Sequence, residues 1–100
     1  MASYQIEFAE SVKTHLQALT AVQRAAVLDS IERQLANEPL VETRNRKPLR
    51  PNPVAPWELR VGKMRVFYDV SDGPPRVVRV LAVGVKDRNV LKIGGQEIQL

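Results

Sequence analysis

Four cations stand at strand ends or turns. Arg60 and Arg65 flank Gly62-Lys63, and Lys86 and Arg88 follow the apolar run from Arg76 to Val85. A second basic group, Arg44, Arg46, Lys47 and Arg50, lies upstream, and Lys63 occupies the turn itself. Guanidinium groups are planar and present parallel donors, so one arginine can bind two oxygens of a phosphate. Holding a phosphate is therefore the chemistry these residues suggest, although a solvated loop around residues 44–50 fits that cluster equally well. Other chemistries have fewer candidates. Cysteine is absent, which removes disulfides, thiolate nucleophiles and cysteine zinc sites. His15 is the sole histidine. It falls beside Val12 and Leu16 on a helical pattern, away from the basic face, and reads as a structural or exposed residue. Gly94-Gly95 lacks the spacing and following helix of a phosphate-binding loop. Neither a metal nor a cofactor is expected.

The elements that must position these cations follow from periodicity. Tyr4 to Phe8 alternates apolar and polar residues, as a half-buried strand does. Val12, Leu16 and Leu19 then keep helical spacing. Thr20-Ala21-Val22-Gln23 is a capping-box pattern that opens a second helix, with Val27, Leu28, Ile31 and Leu35 as its apolar stripe. Pro39 stops it. Residues 38–56 hold five of the seven prolines and read as a semi-rigid basic connector. Three strands follow: Trp57–Val61, Met64–Val70 and Arg76–Val85, the last the most apolar and therefore central. The turns between them are short, so they pair antiparallel. Alternation puts Glu58 and Arg60 on one face of their strand, and Arg65, Phe67 and Asp69 on one face of theirs. Trp57 and Tyr68 turn the other way, into the core. Residues 90–100 form either a hairpin about Gly94-Gly95 or a loosely docked tail. The order β-α-α-β-β-β is an α+β fold: a strand, a helical hairpin, then an antiparallel sheet with both helices on one face.

One hundred residues make a single domain, 1–100, and an apolar fraction of 44% suffices for a packed core. The net charge of +4 is unevenly spread. Residues 1–43 carry three basic and six acidic side chains, whereas residues 44–100 carry twelve basic and five acidic. A basic half of this kind suits a polyanion or an acidic protein partner. No run approaches the length of a membrane span, and the N-terminus alternates from the start, so a soluble, cytoplasmic chain without membrane contact is expected.

The segments Trp57-Glu58-Leu59-Arg60-Val61-Gly62-Lys63-Met64-Arg65-Val66-Phe67-Tyr68 and Leu81-Ala82-Val83-Gly84-Val85-Lys86-Asp87-Arg88, in this order of elements, resemble the RelE/ParE toxin superfamily. Arg46-Lys47-Pro48-Leu49-Arg50 looks like that family's approach to its first sheet strand. The resemblance runs from the first strand to about Arg88. It implies a toxin blocked by a cognate antitoxin protein. RelE-like members enter the ribosome and cut mRNA without a metal, whereas ParE-like members inhibit DNA gyrase; a relative that only binds its antitoxin is a third possibility. In the RelE-like case, Arg65 matches the family's strand arginine and holds the phosphate, with Arg60, Lys86 and Arg88 assisting. Arg44, Arg46, Lys47, Arg50 and Lys63 would contact RNA. Two positions depart from the RNA-cutting pattern: Glu58 stands where such relatives carry lysine, and Lys92 where they carry tyrosine.

Overall fold

A computed structural model describes residues 3–100. In chain order the elements are β1 (Gln5–Phe8), α1 (Glu10–Gln17), α2 (Ala21–Leu35), β2 (Arg46–Pro48), β3 (Trp57–Val61), β4 (Met64–Ser71), β5 (Val77–Asp87), β6 (Val90–Ile93) and β7 (Gln96–Ile98). The two helices are joined as the sequence indicates. Thr20 Oγ1 accepts the Gln23 amide at 3.1 Å, and Gln23 Oε1 accepts the Thr20 amide at 3.0 Å. From the first turn of α2, Arg24 reaches back and donates to the carbonyls of Leu16 and Leu19, which closes the open end of α1.

The sheet order is β2-β3-β4-β5-β6-β7, antiparallel throughout this path. The first strand is the exception: β1 pairs parallel to the Val77–Val80 half of β5. A parallel neighbour requires a long crossover, and the helical hairpin and connector supply it. Since β4 takes one edge of β5, β1 and β6 share the other, β1 at residues 77–80 and β6 at residues 84–87.

Both helices cover one face, α1 over β5 and α2 over β3 and β4. Val12, Leu19, Val27, Ile31 and Leu35 pack there against Leu59, Val66, Tyr68, Val78, Val80 and Val83. Tyr68 is fully buried, donates its hydroxyl to the Pro39 carbonyl at 2.7 Å and stacks with Trp57. Its phenol is pushed well above the ordinary value by burial. Leu28 does not share this core. It is 39% exposed while Ile31 is 2% exposed. The buried arc of α2 runs through Val27, Ser30, Ile31 and Leu35, and Leu28 falls just past its rim.

The opposite face is partly covered as well. Phe67, Ala82, Leu91 and Ala55 form a second small core under Leu49, Val54, Ile93 and Ile98. The proline-rich connector is thus more ordered than its composition suggests. It contributes β2 to the sheet, and Asn52 closes its last loop, accepting the amides of Val54 and Ala55 and donating to the carbonyls of Arg50 and Ala55. At the C-terminal end, Gly94 and Gly95 adopt positive φ and join β6 to β7, so the hairpin forms rather than a tail. Among the described residues no helix is long and apolar enough to cross a membrane.

Candidate nucleic-acid interface

Register places the basic residues on two different faces. On the face away from the helices, Glu58 stands opposite Lys47 and Phe67, and Arg60 opposite Arg65. Arg65 in turn lies opposite Gly84, so alternation along β5 brings Lys86 to the same side. Glu58 is the hub. Its buried carboxylate accepts from Arg60 Nε at 3.0 Å and lies 3.9 Å from Arg65 Nε. Glu58 is therefore the carboxylate that both arginines share.

The two arginines differ in what they leave free. Arg60 spends its Nε on Glu58, and its side chain remains 43% exposed. Arg65 is only 14% exposed. Its Nη1 donates to the carbonyls of Gly62 and Met64, and its buried Nε has no hydrogen-bond acceptor among the described residues. Burial lowers the Arg65 pKa from its ordinary value; Glu58 opposes that shift and Arg60 adds to it. Arg60 is thus the guanidinium presented to solvent, and Arg65 a charge held behind it.

A groove of about 380 Å3 opens beside this hub, lined by Glu58, Lys86, Asn89, Leu91, Ile98 and the terminal Gln99 and Leu100. A neighbouring depression is lined by Leu49, Arg50 and Leu100, so Arg50 borders the same side. Lys47 is half-buried there, and Arg44 is exposed on the connector. Arg46 is turned inward. Its guanidinium donates to the carbonyls of Gln34 at 2.6 Å and Val41 at 3.1 Å and lies 3.9 Å from Glu38. It ties the end of α2 to the connector and presents nothing to a partner.

Arg88 and Lys63 part company with the others. With Asp87 they line a groove of about 610 Å3 floored by Val85 and Val90 and edged by Lys92. Val85 pairs with Met64 and Lys92, on the helix side of the sheet. The four cations Arg60, Arg65, Lys86 and Arg88 therefore do not converge: three share the open face, and Arg88 points into the other groove. The hairpin turn explains this. Arg88 and Asn89 both take positive φ, 52° and 67°, in a two-residue turn that carries β5 on to Asp87 before it reverses. Asn89 and Lys92 thereby become groove residues. The Arg-Asn pair in front of another apolar run was the available signal for that turn.

His15 lines neither groove. Its Nδ1 accepts the Val83 amide, and burial lowers its pKa. Among the described residues, no three His, Asp or Glu side chains come together as metal ligands.

No protein-family model matches the chain, and no curated protein does. Among solved structures, the chain is similar to the RelBE2 toxin–antitoxin complex of Mycobacterium tuberculosis. The two are 28% identical with a TM-score of 0.72, over 85% of this chain and 100% of that one. With that likeness, the helical hairpin on one face and the strand order described above, the chain has the fold of a RelE-type toxin.

Proposed function

We propose that this chain is the toxin of a type II toxin–antitoxin system and a RelE-like, ribosome-dependent mRNA endoribonuclease of the cytoplasm. Its similarity to a protein from a toxin–antitoxin complex supports the toxin role and an antitoxin partner. The observation that carries the enzymatic reading is the open-face groove lined by Glu58 and exposed Lys86, with exposed Arg60 held beside it by the Glu58 carboxylate.

RNA cleavage without a metal requires the ribose 2′-oxygen to attack phosphorus while the 5′-oxygen leaves. One proton departs from the nucleophile and another reaches the leaving oxygen. Charge accumulates on the phosphate oxygens in between. Arg60 and Lys86 meet that charge from the open side, and Arg65 adds positive potential from beneath. Glu58 positions both arginines. Arg44, Lys47 and Arg50 guide the RNA backbone along the connector. Primer extension on translating ribosomes tests the reading: the wild-type chain yields discrete cuts in ribosome-bound mRNA, and their absence rejects it.

A second reading has one observation in its favour. Arg65 already gives its Nη1 donors to the Gly62 and Met64 carbonyls, which suits a non-enzymatic inhibitor of DNA gyrase better than a phosphate clamp. A supercoiling assay run beside the primer extension separates the two.

A further inference from the structure

One buried carboxylate on the open face is shared by two guanidinium groups. Glu58 and Arg60 are two residues apart on β3, so alternation sets them on the same side, and register brings Arg65 of β4 opposite Arg60. One negative charge thus meets two positive ones, and a single cation is enough to compensate it. The second is available for other work.

The two pairings are unequal. Arg60 Nε donates to Glu58 Oε2 at 3.0 Å, whereas Arg65 Nε stands 3.9 Å from Oε1, beyond hydrogen-bond reach. That second N–H is buried and, among the described residues, has no acceptor. A buried donor without a partner has lost its hydration and gained nothing in exchange, which destabilises the arrangement that leaves it so. A shift of about 1 Å in the carboxylate would bring Oε1 to the distance usual for a charge-assisted N–H···O bond.

Restraint differs in the same sense. Arg65 is anchored: its Nη1 donates to the carbonyls of Gly62 at 2.8 Å and Met64 at 3.0 Å, and its side chain is 14% exposed. Arg60 makes one side-chain hydrogen bond among the described residues, to Glu58, and is 43% exposed. Arg60 is the one free to turn outward. Doing so alone would strand a buried carboxylate, the costly way to break an ion pair. With Arg65 Nε standing by, the carboxylate stays paired.

We propose that Glu58 is a two-position carboxylate: it holds Arg60 until an anion reaches the open face, then passes to Arg65 as Arg60 turns to the anion. Side-on binding of a phosphate takes Nε together with one Nη of a guanidinium, and Nε is the atom that Glu58 holds. The anion therefore competes with Oε2 for one donor, and the new bond to Arg65 Nε offsets part of the cost of release. Arg65 is a positioning residue, acting on the phosphate through Glu58 and Arg60. The proposal rests on the reading of the open face as a phosphate site and adds how that site opens.

Nuclear magnetic resonance of the arginine Nε–H groups tests it, on the whole chain and without ribosomes. Arg60→Lys and Arg65→Lys assign the signals. The samples are wild type alone, wild type titrated with inorganic phosphate at low salt, and Arg60→Ala alone. Circular dichroism checks that Arg60→Ala is folded, and the wild-type titration decides the matter should that variant unfold. The Arg65 Nε–H is expected to exchange with water roughly tenfold more slowly in Arg60→Ala than in wild type, because a charge-assisted hydrogen bond must open first. Phosphate brings the same slowing to wild type, together with a shift of the Arg60 Nε–H signal. If the Arg65 Nε–H is equally labile in wild type and Arg60→Ala, the hand-over is wrong while the phosphate reading stands. If phosphate shifts Arg60 and leaves Arg65 unchanged, Arg60 binds through its Nη groups without releasing Glu58, and the hand-over is again wrong. If phosphate shifts neither, the open face is no phosphate site and both fall.

Discussion

His15 Nδ1 accepts the Val83 amide at 3.3 Å, in the interval where the second edge of β5 has left β1 and not yet met β6. A mid-strand N–H would otherwise stand half-buried and unpaired, so a helix side chain completes the sheet. Acceptance at Nδ1 requires the neutral ring, with its proton on Nε2.

That requirement makes stability depend on pH. Burial lowers the folded-state pKa of His15 from the ordinary 6.5. The unfolded chain therefore binds this proton first as pH falls. The stabilisation is complete above about pH 6.5 and is lost as pH drops toward the lowered folded-state value. Urea midpoints measured from pH 8 down to pH 5 are expected to fall more steeply for wild type than for His15→Gln, which carries no titrating ring. Parallel slopes would show that His15 is not the group responsible.

The two faces of α2 give a packing test. Ile31→Ala removes a side chain that is 2% exposed and is expected to cost about 2–5 kcal/mol in a urea melt. Leu28→Ala, at a position 39% exposed, should cost less than about 1 kcal/mol. Equal losses would contradict this orientation of the helix.

Arg46→Ala is expected to behave as a stability variant. It strips the carbonyls of Gln34 and Val41 of their donor, so a loss of about 1–3 kcal/mol should appear in thermal or urea unfolding. Arg44→Ala, exposed on the same connector, should leave the melt unchanged and weaken RNA binding at low salt. An Arg46→Ala protein of native stability would show that the inward guanidinium contributes nothing net.

Much of the architecture is written in local pattern. Alternation marks β3, β4 and most of β5, and Thr20 with Gln23 marks the start of α2, because each signal acts within a few residues. Pairing is less legible. Nothing in Gln5–Phe8 says that β1 will lie parallel to β5, since its partner is some seventy residues away. Leu28 shows the limit of a helical stripe: one rim position more or less is decided by the sheet beneath. For the site, residue type reveals the cations but not their direction. Arg46 turns inward because of carbonyls twelve and five residues distant, and Arg88 leaves its neighbours because β5 runs on to Asp87 before turning. The exchange of prominence between Arg60 and Arg65 follows from Glu58, whose buried carboxylate becomes visible as a hub only when β3 and β4 are paired.

That hub yields the last prediction. If Arg60 and Lys86 meet the charge that develops on the phosphate, Arg60→Ala or Lys86→Ala should each reduce cleavage of ribosome-bound mRNA by roughly a hundredfold, the scale on which one preorganised charge-stabilising group acts. Lys86 is exposed enough for its melt to remain close to wild type, whereas Arg60→Ala should also lower stability, because it takes away the hydrogen bond to the buried Glu58 carboxylate. Arg65→Ala should lower cleavage as well, again with a loss of stability, because it removes the donor to the part-buried Met64 carbonyl and leaves the buried Glu58 with one cation instead of two. Glu58→Gln separates positioning from charge: it removes the carboxylate that aligns Arg60 while keeping the shape. It should therefore lower the cleavage rate at saturating ribosomes more than it lowers affinity for them. Single-turnover rates by primer extension, set beside ribosome-binding titrations, give both quantities. If Arg60→Ala and Lys86→Ala cut as fast as wild type, the open face is not the catalytic one, whatever binds there.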